Sequence, residues 1–302
     1  MKKLLAMLLA AAMTIGTASV ALADDTGLFK LNGTRYDTLQ DAVNKAGEGD
    51  TIYLLESTAG PGVKVASGKG FTIDFGGYKY TVNDETVGST GTETNGFQIL
   101  KGSNITMQNG TISAGKYAKI LIQNYSNLEL YNLTLDAKDS DSIDYVMSNN
   151  CGNVQIIGNS SIFAPDGKVA FDVCWAPNKG YPEGAQVTVD TTGTIDGTVE
   201  IGVWGSVEGT TPLSTFSAKN GVFTGDLSVD PALSESSKDN VSVDGGLFTD
   251  PTWNNPDFTE NADVIAELMD GDGVGAYHIG PASRTIDASD YDGVVVTKAA
   301  SG

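Results

Sequence analysis

A short strand phrase recurs along this chain and restricts what it can fold into. It reads Val241-Ser242-Val243 before Gly245-Gly246-Leu247-Phe248-Thr249, and an earlier copy is Phe216-Ser217-Ala218 before Gly221-Val222-Phe223-Thr224. Others are Val187-Thr188-Val189 before Gly193-Thr194-Ile195, Val154-Gln155-Ile156 before Ile162-Phe163, and Leu128-Glu129-Leu130 before Leu133-Thr134-Leu135. Ile105-Thr106-Met107 before Gly110-Thr111-Ile112 and Ile73-Asp74-Phe75 before Gly76-Gly77 complete the series. Self-similarity with a period of about 20–50 residues marks a repeat architecture. The copies align at Ile73, Ile105, Leu128, Val154, Val187, Phe216 and Val241. Their steps are unequal, the shortest from Ile105 to Leu128 and the longest from Val154 to Val187. The shortest step reads as one coil of three short strands and three turns, and the excess in longer steps as added loops.

A third strand is visible in several repeats: Phe97-Gln98-Ile99-Leu100, Ile120-Leu121-Ile122, Tyr145-Val146-Met147 and Val199-Glu200-Ile201-Gly202-Val203. Asn104, Asn127 and Asn153 each precede an aligned position, where Asn tolerates the left-handed conformation of tight corners and could stack as an amide ladder. A hairpin-built sandwich would place Asn-Gly turns between long alternating strands. Asn109-Gly110 and Asn220-Gly221 instead sit inside the phrase, between very short strands, as in the walls of a solenoid. Before the repeats, a short strand spans 28–31 and turns at Asn32-Gly33. Leu39, Ala42, Val43 and Ala46 then follow the stripe of an amphipathic helix, with Asp37 or Thr38 to start it and Gly47 or Gly49 to end it.

Tyr36-Asp37-Thr38-Leu39-Gln40-Asp41-Ala42-Val43 followed by Gly49-Asp50-Thr51-Ile52 resembles the opening segment of bacterial right-handed parallel β-helix proteins, whose prototype is the pectate-lyase fold. The phrase Gly245-Gly246-Leu247-Phe248-Thr249 is similar to repeats of secreted or surface β-helix proteins. The resemblance covers roughly residues 28–250. It implies an all-β, right-handed parallel β-helix with a short N-terminal capping helix, and it leaves activity open because many chemistries share the scaffold. The expected organisation is a signal peptide at 1–23, an N-terminal strand and capping helix at 24–50, the β-helix at 51–250, and an irregular C-terminal cap and tail at 251–302. In that last region 264–269 and 274–279 flank Asp270-Gly271-Asp272-Gly273 and read as a terminal hairpin.

Lys2 and Lys3, an apolar run from Leu4 to Met13 and the small-residue site Ala21-Leu22-Ala23 carry the signal-peptide reading. It implies a secreted or cell-surface protein, and no later stretch could span a bilayer. The formal charge is −20 over 302 residues. A chain this acidic repels phosphate backbones, which argues against nucleic acid as a partner. Arg35 and Arg284 are the only arginines and His278 the only histidine, so the commonest acid–base side chain is scarce.

Cys151 and Cys174 are separated by close to one repeat, so adjacent turns would bring them near enough for a disulfide or leave them as stacked thiols. Asp139, Asp141 and Asp144 form a compact acidic loop that could hold calcium, although the Gly and closing Glu of an EF-hand are missing. No other cofactor is implied. Phe171-Asp172-Val173-Cys174-Trp175 aligns with Glu200-Ile201-Gly202-Val203-Trp204. The two tryptophans are separated as Val187 and Phe216 are, which would set Trp175 and Trp204 at one height. With Tyr181 in the loop between them, they could form an aromatic platform for sugar rings or a protein partner, or simply pack beneath their own loops. A lyase resembling pectate lyase would need a basic residue, and only lysines such as Lys101 or Lys119 lie in the repeats. The Asn-Thr-Asp, Asp-Asp, Gly-His-Gly and Arg-Ile-Lys motifs of polygalacturonase-like hydrolases are missing from the repeats. The leading expectation is therefore a non-catalytic exported module that binds glycan or a cell-surface partner. A polysaccharide lyase or glycoside hydrolase, and a structural cell-surface spacer, are the alternatives.

Overall fold

The computed structural model describes residues 26–83, 85–204, 213–231, 240–255 and 258, together with the strands Val264–Asp270, Gly275–Gly280 and Val294–Val296. The signal segment expected at 1–23 lies outside the described residues. Among the described residues the chain is all-β apart from one α-helix and short 3-10 turns, and its successive strands build two largely parallel sheets.

Alternation along each strand sends every second side chain inward, and parallel pairing joins these into ladders. In the larger sheet Ile52, Ile73, Met107, Leu130, Ile156, Val189, Ala218 and Val243 are successive in-register partners, all buried. A second ladder on that sheet runs Phe71, Ile105, Leu128, Val154, Val187, Phe216, Val241. A third, past a bend, runs Tyr80, Ile112, Leu135, Ile162, Ile195, Phe223, Phe248. In the smaller sheet Val63, Phe97, Ile122, Met147, Phe171, Val199 and Leu227 face them. Each ladder residue is removed from water at about 25 cal/mol per Å² of apolar surface, the main stabilising contribution available to such a chain.

From Ile105 to Val241 the expected alignment matches the observed register residue for residue. The first step does not: Ile105 pairs with Phe71 rather than Ile73. Phe71 and Ile73 share one face of their strand, so the offset leaves Ile73 buried. Asn32-Gly33 turns the antiparallel pair Phe29–Leu31 and Thr34–Tyr36, whereas neither Asn109-Gly110 nor Asn220-Gly221 makes a hairpin, and the strands containing those two pair in parallel. Among the described asparagines the left-handed conformation falls to Asn32, Asn109 and Asn132 (φ 49°, 56° and 51°), not to Asn104, Asn127 or Asn153. Those three stack on the surface, where Asn127 Oδ1 accepts the backbone N–H of Asn153 at 2.9 Å. The buried amide pair is elsewhere: Asn124 Nδ2 donates to Asn149 Oδ1 at 3.3 Å and to the Ser126 carbonyl at 2.9 Å.

The helix Leu39–Lys45 starts at Thr38, whose hydroxyl oxygen accepts the Asp41 N–H. It ends at Ala46 without a glycine cap, and Lys69 Nζ donates to the Ala46 carbonyl at 2.7 Å, a cation at a helix C-terminus. Leu39, Ala42 and Val43 are buried. On the same helix Gln40 reaches the strand Val63–Val65, the last of the smaller sheet on this side. Gln40 Oε1 accepts the Lys64 N–H at 2.7 Å and Gln40 Nε2 donates to the Lys64 carbonyl at 3.0 Å, as a paired strand would. At the opposite edge Thr252 Oγ1 accepts the Leu227 N–H at 2.8 Å. The fully buried Trp253 packs on Phe223 and Phe248, with ring centroids 4.8 Å away in each case. The hairpin expected at the C-terminal end is present, Val264–Asp270 against Gly275–Gly280, and the latter strand pairs antiparallel with Gly246–Phe248.

Gln40→Ala removes both substitutes for strand pairing from the edge. It should lower stability by about 1–2 kcal/mol, read as a lower urea midpoint at unchanged m-value. An unchanged midpoint would mean that the edge is satisfied equally well by water.

Candidate functional site

The inward ladder of the smaller sheet has an outward counterpart. Lys64, Gln98, Gln123 and Ser148 are successive partners, and so are Asp172, Glu200 and Ser228. The two runs join where Ser148 Oγ donates to Asp172 Oδ2 at 2.9 Å. Around this junction the outer face forms a cleft of about 340 Å³. Tyr125, Tyr145 and Trp204 give it aromatic walls, and Ser148, Asp172 and Glu200 give it a polar floor.

The floor is a connected network. Gln123 Nε2 donates to Ser148 Oγ at 3.2 Å, and the Asn149 backbone N–H donates to Asp172 Oδ1. Tyr145 OH donates to Glu200 Oε2 at 3.1 Å. Asp172 and Glu200 are directly paired on neighbouring parallel strands, spaced about 4.8 Å apart. Asp172 keeps partial exposure to the cleft at its floor, although most of the side chain is enclosed. Burial pushes its pKa up to about 7, and the Glu200 carboxylate adds to the rise against the opposing hydrogen bonds from Asn149 and Ser148. Burial likewise pushes Tyr145 up to about 12, with Glu200 contributing, and Tyr125 up to about 12.

The three expected aromatic residues separate into different roles. Trp204 is 50% exposed and lines the cleft. Trp175 is 5% exposed and packs beneath its own loop, where its Nε1 donates to the Pro182 carbonyl at 2.9 Å. They are not at one height, because Trp175 pairs with Val203. A register shift between Val169 and Phe171 puts Trp204 one position past the partner of Trp175 and turns the two indoles to different faces. Tyr181 packs against Tyr125, with ring centroids 4.8 Å apart and planes tilted by 31°, and so joins the rim. Its loop is held further by Glu183, whose carboxylate meets Lys101 Nζ at 2.6 Å.

The remaining expected residues are the two cysteines and the three aspartates of the acidic loop. Cys151 and Cys174 are buried free thiols. Tyr145 pairs with Val169 and Met147 with Phe171, and continuing that register puts Asn150, not Cys151, opposite Cys174. A slip of one position sends the two sulfurs to different faces. Cys151 Sγ donates instead to the Tyr125 carbonyl, and burial pushes the thiols up to about 11 and about 12. Asp139, Asp141 and Asp144 do not converge as calcium ligands: Asp144 is engaged by Lys168 Nζ at 2.7 Å. Among the described residues no group of three or more His, Cys, Asp or Glu side chains is placed to hold a metal ion. No helix among them is long and apolar enough to cross a membrane.

The residues that carry the cleft, Tyr125, Tyr145, Ser148, Asp172 and Glu200, were not singled out from the sequence as a site. Their signal is the position next to an aligned inward residue: Asp172 follows Phe171 and Glu200 follows Val199. No family model, curated protein or solved structure significantly matches this chain.

The raised Asp172 has a defined consequence for stability. With its folded pKa near 7 and an ordinary value of 3.8, the folded state holds a proton that the unfolded state has released between those values. Stability from this group is therefore lost as pH rises from about 4 to 7 and is flat above. The melting temperature of Asp172→Asn relative to the parent should climb over that interval and level off beyond it. A difference independent of pH would contradict the buried carboxyl.

Proposed function

We propose that this chain is an exported right-handed parallel β-helix that binds glycan in the cleft of its smaller sheet. In this reading the helix Leu39–Lys45 caps one end of the coil, and the segment around Trp253 with the terminal hairpin closes the other. The ladders with steps near one coil turn support the architecture, and the sequence at 1–23 supports export. The observation that carries the function is the half-exposed Trp204 indole at the wall of an open cleft whose floor is hydroxyl, amide and carboxylate groups. Sugar rings match that combination: their C–H faces pack on an aromatic plane, and their hydroxyls exchange hydrogen bonds with planar polar side chains.

A glycan array followed by calorimetry on the hits tests the proposal. Trp204→Ala should weaken binding about tenfold or more, a loss of about 1.4 kcal/mol, without changing stability. Trp175→Ala, which empties a buried site, should lower stability instead. An array without hits, or binding indifferent to Trp204→Ala, would sink the reading.

One observation favours a second reading. Glycoside hydrolysis commonly uses a pair of carboxyl groups flanking the scissile bond, and Asp172 lies directly beside Glu200 in this cleft. New reducing ends released from a polysaccharide panel, and lost in Glu200→Gln, would establish it. Intact polysaccharides would leave binding alone.

A further inference from the structure

We propose that the cleft selects saccharides bearing a free ammonium group, with Asp172 and Glu200 pairing with the cation and the Tyr145 and Trp204 rings flanking it. This inference rests on the glycan-binding reading and names its ligand class.

Asp172 and Glu200 are carboxyl groups in directly opposed positions, where ionising both costs stability in a sheet. Among the described residues that line the cleft there is no Lys, Arg or His to compensate them. A bound cation relieves the repulsion, whereas a uronic acid chain adds to it. Electrostatic attraction of an ammonium to an aromatic face supplies a second contribution.

The protein's own lysines give an independent indication of what these walls accept. Lys179 Nζ sits 5.1 Å from the centroid of the Trp204 ring, the indole that forms the cleft wall. At the rim, Lys101 Nζ contacts the Glu183 carboxylate at 2.6 Å and lies 5.8 Å from the Tyr181 ring centroid. Tyr181 in turn packs against Tyr125 of the cleft. That rim trio of ammonium, carboxylate and aromatic ring is complete within the chain. The cleft floor repeats the carboxylates and rings; among the described residues no ammonium pairs with Asp172 or Glu200, and Lys179 Nζ on Trp204 is the cation that a bound amine would join or displace. The titratable groups facing Asp172 are Glu200, Tyr145, Tyr125 and Cys174. None of them is cationic, so seating a cation favours the ionised Asp172 and releases a proton.

Calorimetry of the full chain at pH 7 with a glucosamine tetramer, its fully N-acetylated counterpart, a galacturonate oligomer and spermidine tests this. The expected result is binding of the glucosamine tetramer about tenfold tighter than of the N-acetylated tetramer. Proton release should accompany it, seen as a dependence of the heat on the buffer's ionisation enthalpy. Glu200→Gln and Asp172→Asn, checked for native melting, should each remove the preference for the free amine. Equal binding of the two tetramers, or preference for galacturonate, overturns the ammonium inference and leaves glycan binding standing. Spermidine binding as tightly as the glucosamine tetramer overturns the saccharide part. Failure of all three saccharides overturns both readings.

Discussion

In-register parallel pairing between strands one repeat apart is the constraint on which the rest of this molecule depends. Side-chain direction alternates with a period of two, so a slip of one position would turn a whole inward row to solvent. The ladder from Ile52 to Val243 is buried throughout because no such slip accumulates along it. The same rule builds the outside. Pairing Phe171 with Val199 in the core leaves Asp172 beside Glu200 on the surface of the same two strands. The cleft floor is thus a consequence of core packing, and its two carboxyl groups are held together by hydrogen bonds that the backbone makes in any case.

An open stack of strands leaves unpaired backbone at each end, a standing hazard for association. Here side chains supply the missing partners. Gln40 presents both an acceptor and a donor to Lys64, and Thr252 accepts from Leu227 at the far edge. Trp253 meanwhile seals the aromatic end of the core formed by Phe216, Phe223 and Phe248. The edge strands Val63–Val65 and Leu227–Val229 of the smaller sheet thus each have a side chain bonded to their backbone.

Much of the core was legible in the sequence, since the Val-x-Val phrase records which side chains face inward. Ile105, Leu128, Val154, Val187, Phe216 and Val241 align as they pair. What a spacing could not convey was a change of register within a repeat. The separation of Cys151 and Cys174 falls one position short of the local strand offset, set by Tyr145 with Val169. That of Trp175 and Trp204 exceeds theirs by one position, because a shift precedes the pairing of Phe171 with Val199. In each case a single position decides the face. Asp172 and Glu200 escaped notice for a different reason. A carboxylate between two apolar residues is the ordinary pattern of a solvated strand face, and only the three-dimensional neighbours Tyr145 and Ser148 distinguish these two.

The register itself can be tested with a chemical ruler. In-register neighbours on parallel strands lie about 4.8 Å apart, within the Cα range of disulfides. The double variant Asn150→Cys with Cys151→Ser places a thiol opposite Cys174, whereas the parent chain has its own pair one position out of step. Under mild oxidation, peptide mass mapping should find the double variant crosslinked to Cys174 and the parent pair still free. A parent Cys151–Cys174 bond that forms readily, with no crosslink in the double variant, would contradict the register and the cleft built upon it.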